Sequence, residues 1–172
     1  MELPADPWVQ GGFYGARRDS AWWGGSAWIR GGWTTPSGVR LGLEADWGWP
    51  RDLQALGGER YMQPVDTLAS ASWAAGGDWS PLLGTLLGCS FRRYADTQGV
   101  LQWNSTPVVG FETGVAISVW GDRIAVVPNL RVMADLRRTE LQVGGEPRSQ
   151  LAAVELQGGL SLLVPPPDRS RP

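Results

Sequence analysis

From Val39 to Trp47 the chain reads Val-Arg-Leu-Gly-Leu-Glu-Ala-Asp-Trp, with an apolar residue at every second position. Successive side chains of a strand point to opposite faces, so Val39, Leu41, Leu43, Ala45 and Trp47 share one face. Arg40, Gly42, Glu44 and Asp46 share the other. A helix would scatter this pattern around its circumference, and the glycines inside every such run would each cost a helix about 1 kcal/mol. The alternation admits two inside-out solutions. In a soluble sheet the apolar face is the core; in a membrane barrel it meets lipid and the polar face lines the lumen.

The same period of two recurs along the chain. Trp8 to Arg17 sets Val9 and Phe13 against Trp8, Gln10 and Tyr14, and Ala21 to Thr34 sets Trp23, Ala27, Ile29 and Trp33 against Ser26, Trp28 and Arg30. Val65 to Ala75 sets Thr67, Ala69, Ala71 and Trp73 against Asp66, Leu68, Ser70 and Ser72. Trp79 to Tyr94 opposes Leu83, Leu87, Cys89 and Phe91 to Leu86, Ser90 and Arg92, and Val108 to Trp120 opposes Val109, Phe111, Val115 and Ile117 to Glu112 and Ala116. Arg123 to Arg138 and Gln150 to Val164 complete the set, with Asn129, Arg131, Met133, Asp135 and Arg137, then Glu155, Gln157 and Ser161, on their polar faces. Pro165-Pro166-Pro167 ends the last run, because proline donates nothing to a ladder. The reading is all-β: eight antiparallel up-and-down strands in one barrel domain over 8–164, with a lead at 1–7 and a Pro-rich tail at 165–172.

Three features place that barrel in a membrane. Connections alternate in length, with turns at Thr35–Gly38, Gly76–Asp78 and Gly121–Asp122 and longer loops at 50–64, 95–106 and 139–149. Outer-membrane barrels have an even strand count, short turns on one rim and long loops on the other. The link Arg18–Ser20 is the exception, a short connection on the long-loop side. Aromatics also gather at strand ends: Trp8, Trp33, Trp73, Trp79 and Trp120 beside the turns, and Trp23, Trp47, Trp49, Tyr94 and Trp103 beside the loops. Indole and phenol rings favour the headgroup level, where the ring is dry and its polar atom is wet. Trp23 and Trp33 share a face across ten residues, which at ~3.3 Å per residue and ~40° tilt spans about 25 Å, the height of an apolar band. Finally, Arg30, Arg40, Arg92, Arg131 and Arg137 share the inward face with Glu44, Asp46, Glu112, Asp135 and Glu155. An eight-stranded lumen is just wide enough for side chains to fill, and buried charges need partners, so this set reads as a lumen charge network.

Composition removes several functions. Fifteen Lys and Arg residues against seventeen Asp and Glu, a net charge of −2, leave no basic patch for nucleic acid. All the basic residues are arginine, and there is no histidine. The one cysteine, Cys89, forms no internal disulfide and shares a face with Leu87 and Phe91, which marks a buried or lipid-facing thiol. No metal-ligand spacing, phosphate loop or nucleophile motif is present, and no cofactor is expected. Glu44 and Asp46 share a face, but the inward arginines make them ion-pair partners rather than an acid–base pair. Met1 is followed by Glu-Leu-Pro-Ala-Asp-Pro, which lacks the basic and apolar regions of a signal peptide, so an exported chain would be a mature form or start from a truncated site.

The chain resembles the small eight-stranded outer-membrane barrels of Gram-negative bacteria, of the OmpA-barrel and OmpX type. The resemblance covers Trp8 to Val164 as a pattern. It is strongest at Val127-Pro128-Asn129-Leu130-Arg131-Val132 and at Val154-Glu155-Leu156-Gln157-Gly158-Gly159-Leu160-Ser161-Leu162. Such families end their last strand on an aromatic read by the assembly machinery, whereas this strand ends at Val164. Enzymatic barrels (lipid A deacylases, palmitoyl transferases, omptin proteases) use a histidine base, which excludes their mechanisms here. The resemblance implies an outer-membrane location, a bilayer as partner and a structural or interaction role, with other envelope proteins engaged through the loops; an eight-stranded lumen filled by side chains should not conduct, so no porin activity is expected. Two alternatives stand beside it. One is a soluble lipocalin-type barrel with Leu41, Leu43, Val115, Ile117 and Leu160 turned inward around an apolar ligand; the other is a subunit of a larger envelope assembly.

Overall fold

The computed structural model describes residues 6–17, 23–49, 51–52, 61–75, 79–95, 101–120, 123–137, 140–143, 146–150 and 154–164. Every regular element among them is a strand. In chain order these are β1 (Asp6–Arg17), β2 (Trp23–Thr34), β3 (Val39–Gly48), β4 (Arg51–Asp52), β5 (Tyr61–Ala74), β6 (Trp79–Ala95), β7 (Leu101–Trp120), β8 (Ile124–Asp135), β9 (Glu140–Val143), β10 (Glu146–Gln150) and β11 (Val154–Val164). Eight of them pair antiparallel with their neighbours in sequence. The ring closes because β1 pairs β11 and β3 pairs β5. The result is a closed up-and-down barrel with no free edge around its body, the device that removes unpaired backbone groups from lipid.

The period of two became inside and outside as the charges require. Phe13, Ile29, Leu43, Leu87, Phe111, Leu130, Leu156 and Leu160 are exposed on the outer wall. Gln10, Arg30, Glu44, Ser70, Arg92, Glu112, Arg131 and Gln157 are buried inside. The lipocalin-type assignment is therefore overturned: Leu41, Leu43 and Leu160 point outward and are exposed. A surface apolar all round and a charged interior are the inverse of a water-soluble barrel.

Several boundaries moved. β5 begins at Tyr61, so part of the expected loop 50–64 is strand, and β4 pairs with its first residues, Arg51 with Met62 and Asp52 with Tyr61. β6 and β7, at 17 and 20 residues, stay paired from Trp79↔Ile117 as far as Ala95↔Leu101, which takes up most of the expected loop 95–106. β9 and β10 pair as a separate two-stranded sheet that occupies most of the expected loop 139–149 and ends at Gln150. These stretches read as loops because Gln102, Asn104, Ser105 and Thr106 are polar on both faces. A strand that rises out of the apolar layer loses the alternation that identifies it. β1 starts at Asp6, inside the expected lead, paired with Thr34. The turns 76–78 and 121–122, the link 18–20 and the tail 165–172 lie outside the described residues.

The turn between β2 and β3 is fully drawn. Gly38 N–H donates to the Thr35 carbonyl at 2.9 Å, Thr35 N–H donates to Val39 O at 2.7 Å, and Val39 N–H donates to Thr35 Oγ1 at 3.1 Å. Gly38 holds φ at +82°, in the left-handed region where a Cβ is strained. Gly38→Ala should lower stability by about 1 kcal/mol in denaturant unfolding without changing the slope of the transition.

Candidate functional site: the charged lumen

Two arginine–glutamate pairs meet across the barrel. Register alone sets Arg30 opposite Glu44 on β2 and β3, and Glu112 opposite Arg131 on β7 and β8. Each guanidinium then reaches the glutamate of the far wall as well. Arg131 forks onto Glu44, Nη1 to Oε1 at 2.7 Å and Nη2 to Oε2 at 3.0 Å, while Nη2 also donates to Glu112 Oε2 at 2.8 Å. Arg30 Nη2 donates to both Glu112 oxygens, at 2.8 and 3.0 Å, and its Nε lies 3.3 Å from Glu44 Oε2. Two positive and two negative side chains thus tie four strands through the centre of the lumen. Bidentate geometry between fully desolvated partners is what offsets the cost of removing them from water.

Aromatic rings fill the space beside this quartet. Tyr14 and Trp28 stack with centroids 5.2 Å apart. Arg131 lies over Tyr14 at 4.4 Å and over Trp28 at 5.4 Å, and Arg30 lies over Trp28 at 5.0 Å. Cation–π attraction is strongest where, as for Arg30 and Arg131, the cation is buried from bulk solvent. Tyr14 Oη donates to Glu112 Oε2 at 3.3 Å and accepts from Asn129 Nδ2 at 2.9 Å. Gly159, opposite Tyr14 in register, leaves the room: a Cβ there would lie 2.5 Å from the ring.

The two ends of the lumen differ. Toward the short turns, Trp8, Leu82, Ala116, Ala125, Val127 and Leu163 pack into an apolar plug. Toward the loops stand Asp46, Arg92, Asp135 and Glu155, with Arg92 Nη2 on Asp135 Oδ1 at 2.6 Å. Charged side chains thus meet across the middle of the barrel, and apolar ones pack together toward its turn end.

Of the expected charge network, Arg30, Arg40, Glu44, Asp46, Arg92, Glu112, Arg131 and Glu155 are buried in the lumen, and Asp135 is partly buried at its loop end. Arg137 is a correction. It is exposed, because β8 ends at Asp135 and the chain leaves the ladder, so alternation no longer aims the side chain inward. Of the expected interface aromatics, Trp33, Trp73, Trp79 and Trp120 are exposed at the turn rim, and Trp47 and Trp103 at the loop rim. Trp120 reaches the outer wall through a bulge between Ser118 and Trp120, which shifts it off the inward parity of Glu112 and Ala116. Trp8 is the second correction. It is 4% exposed, inside the barrel on the same parity as Gln10, between Arg30 and Arg40 at 5.9 and 5.7 Å from its ring. The side chains of Trp23 and Tyr94 lie outside the described residues.

No family model matches the sequence, and no curated protein matches it either. Solved structures do match. Neisserial surface protein A superposes with a TM-score of 0.67 at 17% identity, covering 94% of this chain and 98% of that one. A major outer membrane protein from Thermus thermophilus gives 0.53 at 13% identity over 92% and 99% of the two chains. The attachment invasion locus protein of Yersinia pestis, in complex with the heparin analogue sucrose octasulfate, gives 0.54 at 9% over 95% and 98%. The fold is that of a small outer-membrane barrel.

Within that barrel, Tyr14, Trp28, Trp8, Asn129, Asp66 and Gln157 belong to the lumen's chemistry although the charge pattern did not single them out. Parity carried the signal, since Trp28 lies two residues from Arg30 and Tyr14 four from Gln10. Glycines on both faces of β1, at Gly11, Gly12 and Gly15, blurred it.

Proposed function

We propose that the chain is an integral protein of the bacterial outer membrane with a structural or interaction role, in which a closed, charge-filled barrel holds a loop-side rim outward for partners. The observation that carries this is the cross-lumen quartet. Arg131 is 0% exposed and bound to carboxylates from two walls, so the barrel interior is a brace rather than a path. With the short turns toward the periplasm, the opposite rim, on which the expected loops 50–64, 95–106 and 139–149 fall, is the external one, where recognition by a rigid scaffold resides. Other envelope proteins are the natural partners at that rim, and the role is not enzymatic. The Yersinia neighbour was solved with a heparin analogue, sucrose octasulfate; the loop-side lumen of this chain is lined by carboxylates together with Arg92.

Purified chain should need detergent to stay soluble and should migrate differently on gels before and after boiling. Reconstituted in planar bilayers it should give no stable large-conductance channel. Open-channel steps of porin size would overturn the closed-lumen reading, and a monodisperse detergent-free monomer would overturn the membrane reading. Co-purification from native membranes with a stoichiometric envelope partner would identify the engaged protein.

A further inference from the structure

Among the residues whose side chains are described, the exposed charges are Asp6 and Arg123 at the turn rim and Arg93 and Arg137 at the loop rim. The turn rim thus shows one charge of each sign, whereas both at the loop rim are guanidinium groups. Arg93 stands on the outer face of β6, opposite Trp103 of β7 in register, with its Cζ 6.0 Å from the ring centroid. Arg137 follows Leu136, whose N–H donates to Pro107 O at 2.8 Å, so the chain leaves β8 beside Thr106 and Ser105 of β7. Ser105, exposed on the outer face, therefore lies between the two arginine-bearing segments. Among the described residues neither Arg93 nor Arg137 has a carboxylate partner. Register ties this group to the loop-rim girdle, since Trp47, Val65, Phe91 and Ser105 are successive partners across β3, β5, β6 and β7. From there toward the turns the wall is apolar, with Phe91, Leu87 and Val109 exposed.

We propose that Arg93 and Arg137, with Ser105 and Trp103, bind the phosphate monoester of a lipid headgroup at the loop-side surface of the membrane. Such a group carries about −1.5 to −2 charges and three acceptor oxygens. Two guanidinium groups balance that charge, and their N–H forks match its oxygens in pairs. An arginine lying over an indole keeps the N–H edge of its guanidinium free for the anion. Ser105 Oγ–H and the indole N–H of Trp103, which is 64% exposed, are further donors beside it. The apolar wall decides what carries the phosphate. A free anion gains nothing from Phe91 and Leu87, whereas the acyl chains of a lipid held at the girdle cover them. This assignment rests on the membrane reading above and names the lipid chemistry that the loop rim selects.

The test is a titration of the full chain in uncharged maltoside micelles with dihexanoyl phosphatidic acid, followed by the indole N–H resonances. The Trp103 signal should shift saturably, while that of Trp79, at the turn rim, should stay in place. Arg93→Gln and Arg137→Gln should each weaken binding by about tenfold, with boiling-dependent gel mobility confirming that each barrel is folded. Added salt should weaken binding to the parent as well. Absence of a saturable Trp103 shift, or unchanged affinity in either variant, would overturn the proposal. An equal shift of Trp79 would do the same, because it marks bulk accumulation of anionic lipid in the micelle. So would equal affinity for dihexanoyl phosphatidylcholine, or saturation by inorganic phosphate at the same concentration. The two readings fail separately: a chain that is monodisperse without detergent sinks the membrane reading, and one that needs detergent but ignores phosphatidic acid sinks this one alone.

Discussion

Arg131→Met should destabilise the barrel by about 3–5 kcal/mol, because it strands buried carboxylates whose charge the guanidinium had balanced. Arg131 accounts for three of the hydrogen bonds that close the quartet, two to Glu44 and one to Glu112. Methionine is of similar length and removes the charge with little loss of volume, so the loss reports electrostatics rather than a cavity. Glu44 and Glu112 would then share Arg30 alone. The double variant Arg131→Met/Glu44→Leu leaves Arg30 with Glu112 at 2.8 Å, a balanced pair, and should recover part of the loss. Urea unfolding in lipid vesicles, followed by tryptophan emission, gives both values. A single variant within about 0.5 kcal/mol of the parent, the range of ordinary surface substitutions, would show that the quartet does not hold the barrel together.

Much of this architecture could be read from the alternation alone, and the exceptions share a physical origin. In β2, β3, β8 and β11 every charged residue falls on one face and the other face is apolar, so inside and outside followed directly from Ile29 against Arg30 or Leu43 against Glu44. Where the contrast fades, so did the reading. β1 carries aromatic rings on both faces, with Phe13 outside and Tyr14 inside, and a tryptophan near a strand end such as Trp8 looks like a lipid anchor until its parity is traced. At its loop end β7 carries Gln102, Asn104, Ser105 and Thr106 on both faces around Trp103, and it passes for a loop. The identities of the lumen charges were legible because charges kept to one face of each strand, opposite a face that meets lipid, are costly unless they face partners. Their pairing was not, because Arg30 with Glu112 and Arg131 with Glu44 are contacts across the lumen that strand register does not encode. Nor did the even charge count foretell that Asp46, Asp66, Asp135 and Glu155 would gather with Arg92 at the loop end of the lumen.

The outer wall makes the sharpest demand on the membrane reading. Leu43 is 71% exposed near the middle of β3, between Gly31 and Ala69 in register. In water, replacing an exposed leucine by arginine changes stability by no more than about 0.5 kcal/mol and improves solubility. At the centre of a bilayer the same change costs about 2–4 kcal/mol, falling to about 0–1 kcal/mol near the interfaces. Leu43→Arg should therefore cost several times more than Trp47→Arg, which places the same charge at the loop rim on the same face of the same strand. Both proteins, refolded in vesicles and unfolded in denaturant, supply the comparison. If Leu43→Arg were neutral while the barrel remained folded, the exposed apolar band would have to be covered by something other than lipid.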